Sequence, residues 1–438
     1  MQRYTFSMFF PTFVPMINRL LFFLLGCVVF ATTLAQKDQI HVDHIKTLVV
    51  NKNNRWQDAP VIRLKSTDYI QLSFDDLTHE YKRYIYIVEH CDAQWNTTEG
   101  LFESDYIEGF NGSQPIENYQ YSVNTTQLYT HYALRIPNSN IKPLVSGNYR
   151  VRIYEDDDYE NETEEKEPVI TVHFQVVEPI ANIRAALSTN TDIDWNEAHQ
   201  QMTLSVDYGS LVVRNPEQEI YTVIRQNRRW DNAVIAPKPN YVLNKQLKWE
   251  HNRQLIFDGG NEYRRFELES MRYASMGVEK IRWHDPFYHV TLFSGQVRKN
   301  YVYDEDQDGK YIIHNEKRQN DNIESDYAFI HFTLQYPDKL PGKVYLNGGW
   351  THDNLSPEYE LHYNEQARCY EASVFLKQGY YNYQYIYQPA SRSEENPYIE
   401  GNFYQTENEY DVFVYYRSPI EKYDRLIGYA TYTFNPNK

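Results

Sequence analysis

The chain has 438 residues with 43 basic and 60 acidic side chains, a formal charge of −17. That length admits roughly two to four ordinary domains, and the acidic balance argues against a nucleic-acid binder, which needs a basic face. Tyrosine is far above ordinary usage at 41 residues; it favours strands and carries a polar tip suited to half-buried faces.

Residues 1–35 read as a secretory signal peptide. Met16-Ile-Asn-Arg-Leu20 supplies a short basic start, residues 20–31 an apolar run, and Thr33-Leu34-Ala35 a small-residue cleavage site before Gln36. The apolar run is about half of what spans a bilayer, so a membrane anchor is the weaker reading. Leu24-Leu25-Gly26-Cys27 imitates a lipoprotein box, but Val28, Val29 and Phe30 stay apolar after the cysteine, where a lipoprotein turns polar.

Residues 36–179 form the first domain. Strand patterns run over 41–50, 69–74, 84–88, 149–154 and 169–177, separated by turn clusters and closed by Glu178-Pro179. Short alternating strands of this kind predict an antiparallel sandwich, immunoglobulin-like or fibronectin-like. The acidic run 155–167 reads as a solvated hairpin tip.

Residues 180–320 form a middle β-domain, with strands near 201–207, 220–224 and 288–292. Its centre is the stretch 255–269. Apolar Leu255, Ile256 and Phe257 run into Asp258-Gly259-Gly260-Asn261, and the chain leaves through Glu262, Arg264 and Phe266. The pattern predicts a strand, a tight turn and a second strand with one wet face.

Residues 321–417 form a third sandwich, with strands at 328–334, 343–346, 372–376, 380–387 and 408–416, and residues 418–438 a tail strand. Apolar periodicity of helical spacing never persists for three turns, so the chain reads as tandem antiparallel β-sandwiches, an all-β protein.

Three constellations invite a chemical reading. Asp304, Asp306 and Asp308 stand two apart before Gly309, a spacing that suits an oxygen-lined calcium loop. The twelfth position is Asn315 rather than glutamate, so an acidic β-turn is the preferred reading. His90-Cys91-Asp92 assembles base, nucleophile and carboxylate types, but neighbouring strand residues point to opposite faces and cannot form a triad among themselves; a structural histidine beside a buried thiol is preferred. Cys91 and Cys369 read as two separately buried thiols. Zincin, nucleophile-elbow, P-loop and dinucleotide motifs do not occur. The reading therefore carries no catalytic residue, no cofactor, no metal beyond the calcium candidates and no small-molecule substrate.

Several segments resemble the plug-protein family of the type 9 secretion system, from the outer membrane of Bacteroidota. They are Tyr84-Ile-Tyr-Ile-Val-Glu-His-Cys-Asp-Ala-Gln-Trp95, Tyr106-Ile-Glu-Gly-Phe110, Tyr119-Gln-Tyr-Ser-Val-Asn-Thr125, Tyr129-Thr-His-Tyr132, Ser146-Gly-Asn-Tyr149 and the 255–269 stretch, with a matching tail at 424–434. The resemblance makes His90, Cys91, Asp92, Trp95, Gly259, Gly260, Asn261, Glu262, Arg264 and Phe266 structural motif residues. It implies a non-enzymatic periplasmic protein on the inner face of the outer membrane, whose partner is the translocon β-barrel and which closes that barrel's periplasmic mouth. Residues 343–387, through Asn347-Gly-Gly-Trp350 and Lys377-Gln-Gly379, also resemble early-set modules of the glycogen-binding type. That sustains an alternative: a secreted or surface protein that binds or processes glycans, with an exposed Trp350 and the tyrosines of 380–387 stacking on sugar rings; alternate tyrosines packed inside a sandwich, the rest forming a cross-strand ladder, are the preferred reading.

Overall fold

The computed structural model describes residues 36–109, 112–156, 166–317, 319–391, 397–418 and 420–437. The segment expected as a signal peptide, with Ala35, and residues 157–165 of the acidic run lie outside them. Strands account for 48% of the chain and helix for 5%, in several antiparallel sheets, so the protein is all-β. Among the described residues no helix is long and apolar enough to cross a membrane.

The first sandwich packs two sheets. One runs Gln39–Ile40, Ile170–Val177, Gly147–Glu155, Tyr84–Cys91 and Gln114–Pro115; the other runs Ile45–Lys52, Ile70–Asp76, Thr130–Ile136 and Asn118–Tyr121. Alternate inward residues make the core, as the period of two requires. Phe74 stacks on Tyr132 at 5.3 Å and meets Tyr84 edge-on at 5.2 Å.

The second and third sandwiches do not follow the boundaries at 320 and 417. The second has one sheet of Asn182–Ser188, His199–Asp207, Gln246–Trp249 and Tyr241–Leu243, with Ile256–Asp258 also on His199–Asp207. Its other sheet pairs Ile220–Gln226 with Asn408–Tyr416, and Asn408–Tyr416 with Arg425–Phe434. The segments expected as the end of the third domain and a tail therefore complete the second. Tyr410, Val412 and Val414 join Met202, Leu204, Val206 and Trp249 in its core.

The third sandwich is inserted between these parts. Its strands follow the path Arg264–Leu268, Gly379–Gln388, Lys343–Asn347, Glu360–Asn364, Cys369–Lys377, Tyr327–Gln335, Phe287–Leu292 and Val278–His284. Phe266 from one end of the path and Val278 from the other share a single core. Trp350, expected on the surface, is 5% exposed and donates from Nε1 to the Asn382 carbonyl at 2.9 Å. Tyr381, Tyr383, Tyr385 and Tyr387 are buried with it. Burying an indole against a tyrosine strand removes a large apolar area from water, and of the strand's tyrosines only Tyr380 stays half-buried.

Candidate functional site

The 255–269 stretch is a crossing between two sandwiches rather than a hairpin. Ile256–Asp258 belongs to the second sandwich, and Arg264–Leu268 pairs with Gly379–Gln388 in the third. The chain returns to the second sandwich through residues 400–408, and the two connections are bonded side by side. Gly259 N donates to the Ala198 carbonyl and Phe403 N to the Gly260 carbonyl, both at 2.8 Å. Gly260 N donates to Asn402 Oδ1 at 2.8 Å, and Asn408 Nδ2 to the Gly259 carbonyl at 2.9 Å. Asn261 Nδ2 reaches the Glu400 carbonyl at 3.0 Å.

The two glycines serve different needs. A Cβ on Gly259 would stand 2.2 Å from the Phe403 carbonyl oxygen; Gly260 has open space around it but a φ of +68°. One glycine permits close backbone approach and the other a left-handed turn. Beyond the turn, Arg264 Nε donates to both Glu400 oxygens, at 2.9 and 3.1 Å. Phe266 stacks on Tyr381 at 5.1 Å.

Acidic groups line one side of the crossing. Glu262 is 3% exposed; it accepts from Tyr301 Oη at 2.7 Å and from Glu407 N at 3.1 Å. Burial pushes its carboxyl up to about 7. Burial does the same to Asp306 and Asp308, each raised to about 7, with Lys310 opposing the rise at Asp308. The spaced aspartates do not converge. Asp304 pairs with Arg265, its Oδ2 3.2 Å from Nε; Asp306 accepts from the backbone N–H groups of Tyr263 and Asp308; Asp308 faces Lys310 at 3.6 Å. Among the described residues no group of three or more histidine, cysteine or carboxylate side chains is placed to hold a metal ion. The strand-bound acidic turn places these oxygens on separate protein donors instead of around one centre.

The first-sandwich motif is likewise built into structure. His90 meets Thr98 Oγ1 through Nδ1 at 2.8 Å and the Ser146 carbonyl through Nε2 at 3.2 Å. Burial brings its pKa down to about 4. A Cβ on Gly147 would lie 2.4 Å from His90 Nε2, which accounts for glycine in Ser146-Gly-Asn-Tyr149. Cys91 and Cys369 are both free and buried, and burial pushes the Cys91 thiol up to about 12, far from a nucleophile's range. Asp92 Oδ1 caps the following turn, accepting from Gln94 N and Asn96 N, each at 2.9 Å. That turn aims Trp95, at a φ of +69°, edge-on against His173 at 4.8 Å and Trp230 of the second sandwich at 6.3 Å.

The family profile described as Type 9 secretion system plug protein 1st domain matches residues 45–178, most of this motif-bearing sandwich. The first sandwich matches the first domain of type 9 secretion system plug proteins. No curated protein matches it. Among solved structures, the crystal structure of a hypothetical protein from Parabacteroides merdae ATCC 43184, at 2.30 Å resolution, is similar at a TM-score of 0.86 and 39% identity. The match covers 91% of this chain and 100% of that one.

The first sandwich is fixed to both others by contacts the sequence did not disclose. Towards the third, Lys377, 1% exposed, donates from Nζ to Asp75 Oδ2 at 2.6 Å and to the Asn322 carbonyl at 2.6 Å. Asp75 also accepts from Tyr327 Oη at 2.7 Å and lies 2.6 Å from His131 Nδ1. Burial raises the Asp75 carboxyl, but Lys377 and His131 outweigh it and hold the group below its ordinary value. Asp326 accepts from Thr126 N, Thr126 Oγ1 and Gln127 N within 3.0 Å.

Towards the second sandwich the junction is apolar. Ala59, Val61, Ala93 and Val177 pack with Val223, Phe413, Tyr415 and Leu426 in one buried cluster. Asp424 Oδ2 accepts from Ala93 N at 3.0 Å and Asn148 Oδ1 from Tyr415 Oη at 2.8 Å. The adjacent acids Asp75 and Asp76 at the end of a strand were the only available signal, because the cationic partner of Asp75 lies 302 residues away.

Proposed function

We propose that the chain is a non-enzymatic plug which binds the periplasmic mouth of the type 9 translocon β-barrel and closes it when no cargo passes. It would act in the periplasm, on the inner face of the outer membrane, after removal of the signal peptide. The observation that carries this reading is the family match of the first sandwich. The architecture supports it. A plug over a wide lumen must resist leakage, and hinged domains would leak. Here an apolar cluster, a buried Asp75–Lys377 pair and a doubly connected crossing tie three sandwiches together. The glycan reading loses its platform with Trp350 and its neighbouring tyrosines inside the core.

Affinity purification of the tagged chain from detergent-solubilised outer membrane tests the partner. The translocon barrel should be retained in near-equal amount. A preparation holding the chain without the barrel, from cells that contain both, would contradict the proposal.

A further inference from the structure

The strand Asn118–Tyr121 ends one sheet of the first sandwich, and all of its residues are exposed. Its register on Thr130–Ile136 fixes which backbone groups are bare. Asn118 stands opposite Ala133 and Gln120 opposite His131. One step past the strand, Ser122 N donates to the Tyr129 carbonyl at 2.9 Å. In an antiparallel pair every second residue bonds its neighbour, and the residue between turns its N–H and C=O away. Asn118, Gln120 and Ser122 therefore bond inward, and Tyr119, Tyr121 and Val123 point outward. That outward line is already used once: Val123 N donates to the Ile323 carbonyl of the third sandwich at 2.8 Å. Among the described residues no strand continues the line along Tyr121 and Tyr119.

Natural sheet edges are blunted by charge or proline. The strand Val278–His284, at one end of the third sandwich's path, carries Glu279, Lys280 and Arg282, all exposed. Asn118-Tyr-Gln-Tyr121 has neither charge nor proline and displays a group of rings instead. Tyr81, Tyr119 and Tyr121 are 54%, 38% and 45% exposed, yet they touch. Ring centroids of Tyr81 and Tyr119 lie 4.8 Å apart and those of Tyr119 and Tyr121 5.9 Å, and His79 meets Tyr121 edge-on at 5.2 Å. Just beyond, Asp326 holds Thr126 and Gln127, so the edge is presented in one geometry, which lowers the cost of binding. Of the charged groups beside it, Lys82 and Arg83 are paired with Glu155 and Asp156. Glu80 and Glu117 are exposed and, among the described residues, form no ion pair.

We propose that this edge docks an extended segment of a partner polypeptide, which joins the sheet as a further strand through the N–H and C=O groups of Tyr119 and Tyr121. Alternate apolar side chains of that segment lie on the displayed rings, and a basic residue near one end answers Glu80 or Glu117. The surface does not rest on the plug reading; it follows from strand register and exposure.

Peptides selected from a random phage-displayed library on the purified full chain test it. The selected sequences should alternate apolar with polar residues, include lysine or arginine, and bind one to one as synthetic peptides. Hydrogen exchange should show the fast amides of Tyr119 and Tyr121 slowed by the peptide, while those of Asn118 and Gln120, already bonded to the neighbouring strand, change little. Tyr121→Pro removes an outward N–H and an exposed ring but no bond of the sheet. It should therefore melt close to the parent and bind the peptide about tenfold or more weakly. Should that variant fail to fold, the exchange pattern of the parent decides. A library that yields no saturable binder, a binder that leaves Tyr119 and Tyr121 fast, or undiminished binding by folded Tyr121→Pro would each overturn the proposal. Slowing of the same amides as the chain's own concentration rises would give the edge to a second copy and overturn it equally.

Discussion

Substituting Gly259 with alanine should damage the fold more than the same change at Gly260. At Gly259 the added methyl would stand 2.2 Å from the Phe403 carbonyl oxygen, 2.7 Å from its carbon and 3.1 Å from the Ala198 carbonyl oxygen. All three are backbone atoms, so no side chain can rotate away. The returning segment must move, and three hydrogen bonds run through it: Gly260 N to Asn402 Oδ1, Phe403 N to Gly260 and Asn408 Nδ2 to Gly259. Overpacking costs about 1–3 kcal/mol and each weakened bond about 1 kcal/mol. A net loss of about 2–4 kcal/mol follows if the bonds are stretched rather than broken. Gly260→Ala meets no atom within 4 Å and carries only the penalty of its φ of +68°, about 1 kcal/mol. Urea denaturation of both variants against the parent measures the order, and hydrogen exchange of the amides of residues 400–408 locates the damage. Gly259→Ala within about 0.5 kcal/mol of the parent, or Gly260→Ala the worse of the two, would refute the close-approach reasoning.

Three further outcomes are specific. Lys377→Met leaves Asp75 buried without its cation and should cost about 3–5 kcal/mol; the double variant Asp75→Asn/Lys377→Met should recover much of that loss in the same melt, and failure to recover would show the pair is not coupled. Glu262 has a folded pKa near 7 against about 4.3 unfolded, so the folded state holds its proton longer and stability falls as pH rises from about 4 through 7. Glu262→Gln should flatten the melting profile over that window and cost less at pH 8 than at pH 5; parallel profiles would contradict the assignment. The secreted chain should begin at Gln36 with no lipid on Cys27, and an intact mass showing an acylated Cys27 terminus would overturn the cleavage reading.

Strand identity was legible because it is local. Tyr149 to Tyr154 alternates, and the structure places a strand at Gly147–Glu155; the tyrosine run falls on Gly379–Gln388. Strand partnership was not legible, because alternation states which face is buried and not what covers it. Ile220–Gln226 finds Asn408–Tyr416 across nearly two hundred residues, so the tail looked like an appendage when it completes the second sandwich. The 255–269 stretch shows the same divide. Its two glycines announced a tight backbone feature, but the feature they serve is the returning Asn402 and Phe403, and a hairpin is the local guess when the second chain is unseen. An exposed Trp350 came with the resemblance to glycogen-binding modules; the indole instead turns inward to the Asn382 carbonyl.

The central claim is that this chain closes a wide pore, and the most direct measurement is the permeability of cells that lack it. A barrel that passes folded proteins is far wider than a porin channel, so an unplugged lumen should admit solutes too large for ordinary outer-membrane pores. Deleting the chain should raise vancomycin sensitivity in cells that keep the translocon barrel, and should not raise it in cells from which the barrel is also deleted. Unchanged sensitivity on deletion, or an equal rise with and without the barrel, would contradict the account.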